Sequence, residues 1–105
     1  MIIVRTKEEK MIWSAIVQSI SVHCQKELQP RSITPQTLLI ELFPTKNGRD
    51  EQANRLGNMM INLYEYFNRV FHLRLQMDYE PRQEFQLFKD VESVYRYWLK
   101  RILNK

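Results

Sequence analysis

The stretch that decides the fold is DEQANRLGNMMINLYEYFNRVFH, residues 50–72. At about 100° of helical rotation per residue, its apolar side chains form one narrow stripe: Leu56, Met60, Leu63, Phe67 and Phe71. Four further apolar or aromatic side chains widen the stripe: Met59, Tyr64, Tyr66 and Val70. The opposite side is polar and carries Arg55, Asn58, Asn62, Glu65 and Arg69. Apolar spacings of three, four and seven residues predict a helix with one face buried in a core.

A first long helix is predicted over residues 7–28. Thr6 followed by Glu9 matches the sequence of a capping box at its start. The main apolar face of this helix consists of Ile12, Trp13, Ile16, Val17, Ile20 and Cys24. His23 lies at the edge of that face, where a hydrogen-bonded boundary role is favoured over a ligand role.

A thinner apolar strip lies roughly opposite the main face of the first helix. It consists of Met11, Ala15 and Val22. We expect this strip to dock residues 1–4, a partner, or a second copy of the chain in a homodimer.

The connection between the two long helices contains signals for one short helix. Gln29 and Pro30 end the first helix, since proline lacks the backbone donor that a continuing helix needs. Thr34 before Pro35 predicts an N-cap followed by a first helical residue. The core-facing side chains of this short helix would be Leu38, Leu39 and Leu42. An exposed tight turn is expected at Asn47 and Gly48.

After the central helix the period of the sequence changes. Apolar and polar residues alternate over residues 71–79, which predicts an extended segment near 73–79 with one buried face. This segment would form a short strand paired with residues 1–4, or lie flat across the helices. A last helix is predicted over residues 88–103, with a buried face of Phe88, Val91, Val94, Tyr95, Trp98, Leu99 and Ile102.

These elements predict an all-α fold in a single domain, residues 1–105. Three longer amphipathic helices and one short helix must bury their apolar stripes against one another, as a small four-helix bundle. With only 2 glycines and 4 prolines, the chain has little material for the turns of a many-stranded sheet.

Composition excludes several classes of function. No apolar run approaches the roughly 20 residues of a membrane span, and residues 1–4 are too few for a signal-peptide core. The single cysteine, Cys24, excludes an internal disulfide and a cysteine metal cage. The two histidines, His23 and His72, show no metal-ligand spacing. We therefore expect a cytoplasmic, non-catalytic protein without metal or cofactor.

The order of elements resembles the acyl carrier protein family. The matching pieces are ITP at 33–35, LIEL at 39–42, LYEYFNRVF at 63–71, FHLRL at 71–75 and FKDVESV at 88–94. The resemblance covers residues 7–103 as a hydrophobic pattern. It implies a four-helix carrier fold whose second helix recognises partner enzymes.

The chain departs from that family in its chemistry. Carrier proteins attach phosphopantetheine to a serine at the start of the second helix, yet no serine lies between Ser32 and Ser93. Alignment places Gly57, or else Asp50 and Glu51, at the attachment position, and none of these can bear the phosphodiester. The exposed side of this helix is also not strongly acidic, so it would not fit the same partners. The resemblance thus implies a carrier-like fold without its prosthetic group.

Two surface patches are candidate protein-binding sites. In each patch an apolar or aromatic residue falls among polar neighbours, which is a composition typical of interface centres. The first patch is Arg55, Asn58, Ile61, Asn62 and Arg69, and the second is Arg96, Tyr97, Lys100 and Arg101. The leading hypothesis is a protein-interaction or adaptor module. The alternative is a small nucleic-acid-binding protein, because the chain carries a net charge of +4 and Tyr97 offers a stacking ring.

Overall fold

The computed structural model describes residues 6–24, 29–43, 48–80 and 83–105. It contains three long helices: α1 (Lys7–His23), α3 (Arg49–Phe71) and α5 (Val91–Leu103). Two four-residue helices, α2 (Leu39–Leu42) and α4 (Glu84–Leu87), and a 3₁₀ turn at Pro30–Ser32 lie between them. The predicted all-α bundle with three long helices is confirmed, with two short helices in place of one.

Helix α1 begins as predicted and ends earlier. The Thr6 hydroxyl accepts the backbone N–H of Glu9 at 3.1 Å, which makes Thr6 the N-cap. The predicted end at residue 28 is wrong, because the helix ends at His23 and Cys24 already has an extended backbone. Arg55 of α3 donates to the carbonyl of His23 at 3.4 Å and satisfies one acceptor of this helix end.

The predicted N-cap at Thr34 is also wrong. The carbonyl of Thr34 accepts the N–H of Thr37, and the Thr37 hydroxyl accepts the N–H of Thr34, so these residues form a turn. The carbonyls of this turn face the start of α5: Pro35 accepts from Glu92 and Thr37 accepts from Val91. The loop therefore satisfies the first donors of α5 instead of starting a helix.

Helix α5 begins three residues later than predicted. Asp90 is its N-cap, and Asp90 and Ser93 form a reciprocal capping box. Phe88, predicted as part of the helix, is buried ahead of it. Asp90 also forms an isolated antiparallel bridge with Leu38.

The segment after α3 is extended but forms no strand among the described residues. His72 ends α3 in the left-handed conformation. Asn68 then holds Leu75 through both ends of its amide, accepting from the backbone N–H at 2.8 Å and donating to the carbonyl at 3.0 Å. Leu75 and Tyr79 pack against the core while Met77 is exposed. The proposed pairing with residues 1–4 lies outside the described residues.

The core lies where α1, α3 and α5 meet. Its largest fully buried side chains include Trp98, Tyr95, Phe67, Ile12 and Met60. The stripe predicted for α3 is buried from Leu56 to Phe67, and Phe71 packs against its edge. Helix periodicity thus identified the faces that stabilise the bundle by removing apolar area from water.

Candidate functional site

A groove of about 850 Å³ runs along the face of α1 that is turned away from the main core. Its apolar side chains are Met11, Ala15 and Val22 of α1 with Leu63 and Tyr66 of α3. The predicted thin strip of α1 therefore lines a concave surface. Val22 is 76% exposed, the most exposed of the large apolar side chains among the described residues.

The charges around the groove are of one sign. Lys7 and Lys10 line the end nearest the start of α1, and no aspartate or glutamate is among its described lining residues. Neither lysine forms an ion pair with another described residue. Both ammonium groups are therefore available to an anionic partner.

His23 and Asn62 join the two walls at the other end of the groove. The His23 Nδ1–H donates to the carbonyl of Ser19 at 3.0 Å, and Nε2 accepts from the Asn62 amide at 2.9 Å. Both ring nitrogens are bonded, and the contact with Asn62 links the end of α1 to α3. The predicted boundary role of His23 is confirmed, and this bonding disfavours His23 as a base for the serines of the groove.

The first predicted patch borders the groove only in part. Ile61 is 45% exposed and lies on the polar side of α3, as predicted. Asn62 lines the groove, while Arg69 lies over the Tyr66 ring, 5.7 Å from its centre. Arg55 instead pairs with Glu51 at 2.8 Å and contacts the end of α1. Asn58 is exposed on the same side of the helix.

The second predicted patch is divided by the fold. Arg96 pairs with Glu92 at 3.1 Å on the surface, and Lys100 is exposed. Tyr97, predicted on the polar side, is instead half-buried, with ring-centre distances of 5.2 Å to both Phe88 and Trp98. This packing leaves the ring poorly placed to stack on nucleic-acid bases.

Arg101 joins Tyr97 in a bonded group that we call the tyrosine–arginine cluster: Tyr64, Asp78, Tyr97 and Arg101. The guanidinium donates to the hydroxyls of Tyr64 and Tyr97, both at 2.9 Å, and to the carbonyl of Gln76 at 2.8 Å. The Tyr97 hydroxyl donates to Asp78 at 2.5 Å and contacts the Tyr64 hydroxyl. The cluster therefore holds the extended segment onto α3 and α5.

Burial dominates the acid–base properties of the cluster. Burial raises the pKa of the Tyr64 hydroxyl, and burial together with the bond to Asp78 raises the pKa of Tyr97. Both hydroxyls stay protonated at neutral pH and act as hydrogen-bonding groups. This arrangement is that of a structural network rather than of an activated nucleophile.

A second buried polar site was not predicted from the sequence. Glu84, the first residue of α4, is 2% exposed, and its Oε2 has no hydrogen-bond partner among the described residues. The neighbouring hydroxyl of Tyr79 is likewise buried and has no partner within the part of the chain that the structure describes. Burial raises the pKa of the Glu84 carboxyl, and burial and the nearby Glu84 charge raise that of Tyr79.

Gly57 faces Glu84 across the contact between α3 and α4. A Cβ built on Gly57 would lie 3.4 Å from Glu84 Oε1. A glycine inside an amphipathic helix is a signal of close approach, so Gly57 could have indicated this site although it was not interpreted in that way. Gly57, which one of the two carrier-like alignments places at the attachment position, therefore faces a neighbouring helix.

Comparisons with family models, with curated proteins and with solved structures gave no match for this chain. Within the described residues, no helix combines the length and apolar character needed to cross a membrane. The same part of the chain contains no group of three or more His, Cys, Asp or Glu side chains arranged to hold a metal ion. The groove combines a concave shape with an exposed apolar side chain, and these are properties of a binding site.

Proposed function

We propose that this chain is a non-catalytic protein-interaction module of the cytoplasm, in which the groove along α1 contacts the partner. The observation that carries the proposal is the exposed apolar strip of Met11, Ala15 and Val22 lining a concave surface with Leu63 and Tyr66. Exposed contiguous apolar surface with a polar rim is typical of interaction sites. The acyl-carrier-like bundle would serve as a rigid support for this surface.

The chemistry of the groove supports binding over catalysis. Ser14 and Ser19 line it, but the nearby imidazole of His23 is bonded at both nitrogens. A serine nucleophile needs an adjacent base to accept its proton. The titratable groups with raised pKa values, such as Glu84 and Tyr97, do not line the groove.

A separate experiment tests whether this carrier-like bundle is free of a prosthetic group. We expect the intact mass of the protein to stay unchanged after co-expression with a phosphopantetheinyl transferase. A gain in mass equal to one prosthetic group would contradict it.

The interaction part is tested by placing a photo-crosslinking amino acid at Val22 and, separately, at Ile40. Both side chains are exposed and apolar, at 76% and 58%, but only Val22 lines the groove. In the protein's native cells we expect a discrete crosslinked species of defined mass from position 22 and none from position 40.

A charged substitution provides the matching loss of function. Ala15→Glu places a carboxylate in the middle of the groove and should abolish the crosslink from position 22. Ile40→Glu should leave that crosslink unchanged. Equal crosslinking from positions 22 and 40, or no crosslinking from either, would contradict the proposal.

A further inference from the structure

The length of the groove indicates the size of the segment that fills it. Its lining residues run along α1 from Lys7 to His23. At about 1.5 Å per residue, this is a distance of about 24 Å, or more than four helical turns. A small metabolite would cover a fraction of this length, whereas a peptide segment of about 16 residues would cover all of it.

The groove's walls indicate the conformation of that segment. Extended peptides gain affinity by pairing with the unpaired backbone of a sheet edge. Here both walls are helices, α1 and α3, whose interior N–H and C=O groups are bonded within each helix. The groove offers side chains only, so the best-fitting peptide satisfies its own backbone groups as a helix does.

The charges indicate the composition of the segment. Lys7 and Lys10 lie one turn apart, line the groove together and form no ion pair with a described residue. No described acidic side chain lines the groove to balance them. A partner with acidic residues at this end and apolar residues over Met11, Ala15 and Val22 would match both features.

From these observations we infer that the groove binds an acidic amphipathic helix of a partner protein. This inference rests on the proposed interaction function and specifies the chemistry of the partner. The apolar face of the partner helix packs along the strip of α1, and its carboxylates pair with Lys7 and Lys10. Small side chains at Ser14, Ala15 and Ser19 leave room for close approach of the two helices.

The test is a selection of random peptides, each about 16 residues long, against the full-length chain. We expect the enriched peptides to carry net negative charge and apolar residues spaced by three, four and seven positions. They should bind about tenfold more weakly to the variant Lys7→Glu/Lys10→Glu. Their affinity should also fall when the salt concentration is raised from about 0.05 M to about 0.5 M.

The matched control is Arg74→Glu/Lys89→Glu, which changes net charge equally at exposed cations outside the groove. This variant should bind the selected peptides as the wild type does. Equal weakening by both double variants would show a general effect of charge and overturn the inference. Enrichment of basic, uncharged or non-helical peptides would overturn it as well.

Three other occupants give distinct outcomes that also overturn the inference. Peptide binding only after removal of residues 1–5 would identify that segment as the occupant. Concentration-dependent self-association that Ala15→Glu abolishes would identify a second copy of the chain. Displacement of every selected peptide by nucleic acid would identify a polyanion site. Crosslinking at Val22 together with non-acidic selected peptides would contradict this inference but would still support the proposed function.

Discussion

Arg101 and the two lysines of the groove, Lys7 and Lys10, carry the same charge in different surroundings. Arg101 donates to two tyrosine hydroxyls and one carbonyl, and lies 3.6 Å from Asp78. The lysines have no ion pair within the described residues and face an open apolar surface. The contrast shows that a cation can hold the fold together or remain available to a partner.

Replacing Arg101 should have the largest effect on stability, because this side chain holds the tyrosine–arginine cluster together. Arg101→Met removes the donor to the two tyrosine hydroxyls and the cation that pairs with Asp78, and should lower the free energy of unfolding by about 2–3 kcal/mol. Arg96→Met, which removes an exposed pair with Glu92, should cost less than about 0.5 kcal/mol. Urea denaturation of both variants measures the difference, and equal costs would contradict the role of the cluster.

Two tyrosines allow a sharper comparison inside the same region. Tyr97→Phe removes a hydroxyl that bonds Asp78 and Arg101, and should lower the free energy of unfolding by about 1 kcal/mol. Tyr79→Phe removes a buried hydroxyl that bonds to none of the described residues, and should be neutral or stabilising. Thermal and urea denaturation measure the stability of both variants. A larger loss of stability in Tyr79→Phe than in Tyr97→Phe would contradict the role assigned to the cluster.

Glu84 provides a pH-dependent test. Because burial raises its pKa above the ordinary value of 4.5, the folded state holds this proton more tightly than the unfolded state does. Stability should therefore fall as the pH rises from about 4.5 through the raised pKa. Glu84→Gln should remove this slope, while Glu80→Gln, at an exposed site, should retain it. An unchanged slope in Glu84→Gln would rule out this carboxyl as its source.

The lysines should have the smallest effect on stability. Lys7→Met/Lys10→Met is expected to change the free energy of unfolding by less than about 0.5 kcal/mol, because the two side chains form no ion pair with described residues. The same variant should lose affinity for acidic peptides. Denaturation and peptide titration on one sample compare the change in stability with the change in affinity. A large loss of stability would show that these lysines help to hold the fold together.

The sequence predicted the features of the fold that local periodicity encodes. The buried stripe of α3 from Leu56 to Phe67 and the core face of α5 followed from a period of 3.6 residues. Features that depend on distant contacts were missed. Helix α1 ends at His23, where Arg55 meets its last carbonyl, and Thr34 turns toward α5 instead of capping a helix.

The site was predictable to a smaller extent. The strip of Met11, Ala15 and Val22 was visible in the sequence, but its concave shape depends on where α3 packs. Tyr97 and Arg101 looked like a surface patch because their partners are distant in the sequence. Tyr64 lies 33 residues before Tyr97, and Asp78 lies 23 residues before Arg101. Such pairings are set by tertiary contacts that no local pattern records.

The most direct test of the groove is methyl NMR of the full-length chain titrated with a selected acidic peptide. We predict that the methyl signals of Met11, Ala15, Val22 and Leu63 shift on binding. The signals of Ile40 and Leu87, which are exposed but lie outside the groove, should stay in place. Shifts confined to Ile40 or Leu87, with the groove methyls unmoved, would contradict the central claim.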